Sequence, residues 1–336
     1  MKKLLKRNEF YVAVTLVVMC LIIGLMNPVF FTLANVVSLM KNGIIMGIMS
    51  FALMLGIIAG GIDVSFPAIA VCAMYLTSKL MESLEYSGPV IVPILMAVAI
   101  GTVLGLLNGI IITKFELPAF IVTLGTSSLF YGLLISLAGS KPVNRLCPSM
   151  EAFGKAQMIR VTSGSTTATC TYTFLFLVAI LVIVHIILKY TMLGRGIYAI
   201  GGDRVSAERA GFNVKGITIF VYTFIGMAAG LGGICHAMQA RMCIPTDLMG
   251  SEMMCIAVVV LGGTSISGGK GTVVGTLLGL MLITVAQNSL ILIGITSIWQ
   301  QLVSGLIILA GVSLSAYKEL KNSRKIPKIL DDEMEV

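Results

Sequence analysis

KYTMLGRGIYAIGGDRVSAERAGFNVK, residues 189–215, decides how this sequence folds. Arg195, Asp203, Arg204, Glu208 and Arg209 crowd into it, although charged residues make up only 11% of the 336-residue chain. Apolar runs long enough to cross a membrane lie on both sides. A charge at the centre of a bilayer costs about 2.5–3.5 kcal/mol even on insertion scales, so this island lies outside the hydrocarbon. Read alone, it is either a solvated loop that sets topology or a docking surface for a soluble partner.

Outward from the island the chain is apolar nearly throughout. With 57% hydrophobic residues and a mean hydropathy of +1.01, it falls outside the range of soluble domains. It reads as an all-α polytopic membrane protein. The net charge of +8 comes from Lys and Arg in short segments between apolar runs, a membrane-orientation signal with no basic stripe for nucleic acid. The 36 glycines suit close helix approach in lipid.

Ten spans are predicted from run length against a bilayer core of about 30 Å. They lie near Phe10–Pro28, Val36–Gly60, Ile62–Leu80, Pro89–Thr113, Pro118–Ala138, Tyr172–Leu188, Gly216–Ala240, Glu252–Ser267, Gly271–Ser289 and Thr296–Ala316. The basic start MKKLLKR places the amino terminus in the cytoplasm, which puts the island and the carboxyl tail there too. Residues 1–320 read as one transmembrane domain and 321–336 as a cytoplasmic tail. The polar segment Gly139–Thr171 then lies outside, with four basic residues and one acidic. GTVLGLLNGIIIT (101–113) echoes GTVVGTLLGLMLIT (271–284) in spans of opposite direction, as an inverted repeat would.

Two stretches break the helical pattern. GGIDVSFP (60–67) contains Gly60, Gly61, Asp63 and a proline; GGTSISGGKGT (262–272) contains Gly262, Gly263, Gly268 and Gly269. Each is either a turn between spans or a re-entrant element beside a path, since irregular backbone at membrane depth survives only when covered by protein or lining water. Asp63, Ser65, Asn108 and Asn288 are the candidate pathway side chains, and their polarity suits a neutral, hydroxyl-rich solute. His185 reads as interfacial, and one embedded acid with two distant histidines is a poor inventory for a proton relay.

Catalytic and metal patterns are missing. Aligned on Lys270, a phosphate-binding G-x-x-x-x-G-K-[ST] loop meets Thr264 and Gly271 where it needs Gly and a hydroxyl. No HExxH or GxSxG occurs. The expectation is a transporter without its own nucleotide site, metal or cofactor. The seven cysteines show no metal spacing, and Cys147 and Cys170, flanking the outer segment, could pair in an oxidising compartment.

These motifs resemble the membrane permease subunits of bacterial ATP-binding-cassette importers, of the ribose, galactose, xylose and arabinose type and related to branched-chain amino acid permeases. GGIDVS (60–65) is similar to a segment of that group, which usually continues Val-Gly where this chain has Phe66-Pro67. LPAFIVTLGT (117–126), T-x-x-GRGIYAIGGDRVSAERAGFNV (191–214) and VVLGGTSISGGKGTVVGT (259–276) match further segments, with Asp203 where Asn is usual. The resemblance implies a permease moving a monosaccharide or similar polyol across the bacterial plasma membrane. It also implies cytoplasmic ATPase subunits that bind ATP, an extracytoplasmic solute-binding protein and a second permease copy. The island becomes the loop carrying a coupling helix, with Asp203 available as its N-cap and Arg204 and Arg209 near its ends. Branched-chain amino acids or autoinducer-2 are the alternative cargo, and a stand-alone transporter or channel is the alternative class.

Overall fold

The computed structural model describes residues 8–163 and 166–292, with isolated positions at 294, 299, 302, 305, 306 and 309. The predicted tenth span, Thr296–Ala316, is described only at the isolated positions 299, 302, 305, 306 and 309, and the tail 321–336 lies outside the described residues.

Among the described residues the regular elements are helices, except for one small hairpin. The helices are α1 (Asn8–Met26), α2 (Leu33–Ile58), α3 (Phe66–Ser83), α4 (Ile91–Phe115), α5 (Ala119–Ala138) and α6 (Pro148–Lys155), then α7 (Thr173–Tyr190), α8 (Met192–Gly202), α9 (Arg204–Arg209), α10 (Val214–Ala240), α11 (Glu252–Leu261) and α12 (Val273–Leu292). Seven of these, α1, α2, α4, α5, α7, α10 and α12, are long and apolar enough to cross a membrane. The protein is therefore a multi-pass membrane protein.

Local chemistry sets the boundaries. Asn27 caps a 3-10 turn that opens with Pro28, and Thr32 Oγ1 accepts the Asn35 amide to start α2. Glu116 closes α4 in a left-handed conformation, and Pro118 begins the turn into α5. The helices share two ends. At one, Glu9 accepts a hydrogen bond from Thr272 and Glu116 pairs with Lys215. At the other, Asn27 donates to the Leu292 carbonyl and Val143 bridges Cys243. The island lies at the first end and the β-hairpin at the second.

Burial separates centre from periphery. In α2, 78% of the membrane-length window is buried by protein, against 11% in α1. Helix α10 lies along α4, α3 and α2. Its contact with α4 is close because Gly101 and Gly105 face Gly226 and Gly230 with backbone against backbone, where any side chain would intervene. The echoed segment uses its glycines alike: Gly275 and Gly279 of α12 lie against the Gly262 and Val258 carbonyls. α4 and α12 run in opposite directions between the two ends.

Three sequence expectations are corrected. The third span begins at Phe66, because Gly61–Ser65 carries no regular structure. The eighth, placed at Glu252–Ser267, is helical only over Glu252–Leu261; ten residues rise about 15 Å, half a bilayer core. Irregular backbone on either side completes that crossing. The segment Gly139–Thr171, read as a polar loop, folds into α6 and an antiparallel pair, β1 (Gln157–Ser163) with β2 (Thr166–Thr171), laid against α2. All seven cysteines are free thiols, Cys147 and Cys170 among them.

Candidate functional site

Three features of the fold gather the sequence-predicted residues. The first is the broken entry to α3. Asp63 and Ser65 are fully buried, as is Asn108 on α4. Asp63 Oδ1 accepts from the Ser65 amide (2.7 Å) and the Ser65 hydroxyl (2.6 Å), and Asn108 Nδ2 donates to Ser65 Oγ (2.7 Å). Thr123, inside the LPAFIVTLGT segment, accepts the Val64 amide at 3.2 Å. Non-helical backbone inside a membrane must find such partners or forfeit stability. The structure brings Asp63, Ser65 and Asn108 together as a buried polar knot within one chain. Asp63 Oδ2 and Asn108 Oδ1 have no partner among the described residues.

The second feature is a junction of three glycine turns at the island end. Gly269 donates its amide to the Ile58 carbonyl at 2.9 Å, Gly268 sits against Gly60 and Gly201, and Gly201 lies directly on the Ile58 carbonyl. A methyl group on Gly201 would overlap that oxygen. Gly268 has φ +89°, open to glycine at low cost, and the Gly201 carbonyl leaves no room for a Cβ there. The Tyr198 hydroxyl donates to the Gly271 carbonyl at 2.8 Å, fixing α8 to the same loop. Gly61 closes against the Tyr222 hydroxyl, Gly262 against Gly275, and Gly263 takes φ +92° in the turn after α11. Both broken segments therefore meet the island through backbone contact.

The island itself is a helix pair. Thr191 caps α8, and Asp203 Oδ1 caps α9 by accepting the Ser206 amide at 2.5 Å. Hydrogen bonds from the Ser206 hydroxyl and then its amide hold the Asp203 carboxyl below the ordinary value of 3.8. Ala207 is buried and anchors α9, whereas Arg204, Glu208 and Arg209 are exposed, as is Arg195 on α8. None of these four forms an ion pair or side-chain hydrogen bond among the described residues.

The third feature separates Asn288 from the other pathway candidates. It lies near the hairpin end, where its Nδ2 donates to Asn35 Oδ1 (2.8 Å) and its Oδ1 accepts from Asn42 Nδ2 (3.1 Å). Asn35 donates onward to the Phe30 carbonyl at 2.9 Å. Asn35 and Asn42 were missed by the sequence reading. The signal was the Lys41-Asn42-Gly43 interruption of the second span.

A family described as branched-chain amino acid transport system / permease component matches residues 35–312. The ribose import permease protein RbsC of Bacillus subtilis is 34% identical over 90% of this chain and 91% of its own length. RbsC of Escherichia coli K12 is 32% identical over 91% and 93%. The galactose/methyl galactoside import permease protein MglC of Haemophilus influenzae is 29% identical over 95% and 96%. No solved structure matches.

Proposed function

Because the chain belongs to the branched-chain amino acid transport system permease component family, we propose that it is the membrane subunit of an ATP-binding-cassette importer for a monosaccharide or similar small polyol. The observation that carries this is the glycine junction. The charged helix pair, free of internal ion pairs, rests by backbone contact on the ends of both broken crossings. A push on α8 and α9 is thereby delivered to the segments at Gly60 and Gly268 without flexible side chains between.

In this reading the island end faces the cytoplasm of a bacterium and both termini lie there. Separate ATPase subunits bind ATP and engage Arg195, Arg204, Glu208 and Arg209; the chain supplies no nucleotide site, metal or cofactor of its own. An extracytoplasmic solute-binding protein meets the hairpin end, and a second permease copy completes the path. Relatives named for ribose and galactose import support a sugar over a branched-chain amino acid.

The test is reversal of charge at Arg204 and Arg209 together, in the importer assembled with its own ATPase and binding protein. Membrane insertion is expected to persist while ATPase stimulation by loaded binding protein is lost. Unchanged ATP-dependent uptake would sink the docking role, and sugar accumulation by the purified chain alone would point to a stand-alone transporter.

A further inference from the structure

The asparagine chain at the hairpin end carries unused hydrogen-bonding capacity. Asn42 is the tenth residue of the 26-residue α2, yet its side chain is exposed. An amide facing hydrocarbon costs about 4–8 kcal/mol on the water-to-cyclohexane scale, so a stable span does not offer one to lipid tails. The α2 and α12 face at this level therefore borders water. Asn288 is half-buried beside it, and Asn35, at 5% exposure, closes the chain from within.

The direction of the chain determines what remains free. Asn42 donates to Asn288, Asn288 to Asn35, and Asn35 to the Phe30 carbonyl. An amide has two N–H donors and an oxygen with two lone pairs. Asn42 thus keeps its whole carbonyl oxygen and one N–H at the open end, and Asn288 keeps one N–H. A donor and an acceptor side by side on one planar amide match adjacent hydroxyls of a sugar, each of which can donate and accept. The buried end fixes which way each amide points.

We propose that Asn42 and Asn288 form a polyol-contact site on the outer half of the transport path, with Asn35 as the residue that positions them. The proposal rests on the importer reading and adds where in the membrane the solute is held. It differs from the Asp63, Ser65 and Asn108 knot, whose polar atoms are fully buried.

The experiment uses the complete importer in proteoliposomes with D-ribose and D-galactose as probes. Asn42→Leu is expected to lower ATP-driven uptake of the transported sugar at least tenfold, with ATPase stimulation within twofold of the parent. Asn42→Gln, which retains both hydrogen-bonding functions, is expected to keep at least half the uptake. In parallel, Asn42→Cys is treated with a membrane-impermeant maleimide and the label located by mass spectrometry. Labelling that either sugar slows supports the site. No labelling at residue 42, labelling indifferent to both sugars, or normal uptake by Asn42→Leu overturns it. If the parent importer moves neither sugar, the sugar reading fails by itself, and the labelling arm still decides whether position 42 meets water and a polyol.

Discussion

The two ends of α2 make opposite uses of polar chemistry. At its carboxyl end the Ile58 carbonyl is capped by Gly269, Gly201 lies on it, and the following Asp63 and Ser65 are sealed with Asn108. At its amino end three asparagines form a line that begins buried at Asn35 and finishes exposed at Asn42. Both regions carry polar side chains on or beside membrane-length helices, so polarity there does not by itself mark a path. What separates them is access: Asp63 Oδ2 and Asn108 Oδ1 are unpaired but fully buried, whereas the unpaired atoms of Asn42 lie at the surface. A buried network holds an irregular segment in place, while one that ends at the surface has something left to offer a solute.

The closed end is broken most severely by adding one carbon. Gly201→Ala places a methyl on the Ile58 carbonyl, and since the obstacle is backbone, the cost should reach or exceed the upper end of the about 1–3 kcal/mol typical of overpacking. Gly202 has open space around its Cβ position, so Gly202→Ala should stay within about 0.5 kcal/mol. Thermal unfolding in detergent, followed by gel filtration, measures both. Equal behaviour of the two neighbours would remove the junction from the account.

Asparagine truncations sharpen the contrast at smaller cost. Asn108→Ala removes the donor to buried Ser65 Oγ and should destabilise by about 1–3 kcal/mol. Asn42→Ala, at an exposed site, should change stability by no more than about 0.5 kcal/mol. A comparable loss from both would mean that the outer chain is structural like the inner knot.

The sequence disclosed the fold through run length and charge, because a membrane allows few solutions for apolar segments separated by charged islands. It also placed Asp63, Ser65 and Asn108 among the polar side chains in the spans, and their mutual contact follows from Gly60 and Gly61 ending α2. Three things were not legible. The short helix at Glu252–Leu261 sits in an apolar run that continues to Leu261 and into Gly262–Gly263, where composition alone does not say whether helix continues. The hairpin at Gln157–Thr171 was hidden in a segment read for polarity, although β-branched residues flank Gly164-Ser165. The meeting of Gly60, Gly201 and Gly268 depends on contacts between residues 67 and 208 positions apart, beyond any local pattern.

The smallest expected effect concerns the cap of α9, which sets how firmly the charged face is presented. Asp203 is exposed, and its carboxyl is held below 3.8 by hydrogen bonds from the Ser206 hydroxyl and amide. A depressed folded value means that the capping contribution is fully present above 3.8 and is lost as the pH falls below it, through the folded value. The proposed coupling between α9 and an ATPase subunit should therefore be indifferent to this carboxyl across the neutral range, while α9 frays in acid. Hydrogen-exchange protection of the Ala207–Arg209 amides, corrected for intrinsic rates, measures the fraying. Asp203→Asn retains an N-cap oxygen without a titrating group, so it should abolish the acid sensitivity and leave protection at neutral pH nearly unchanged. Acid fraying that persists in Asp203→Asn would place its cause outside the cap.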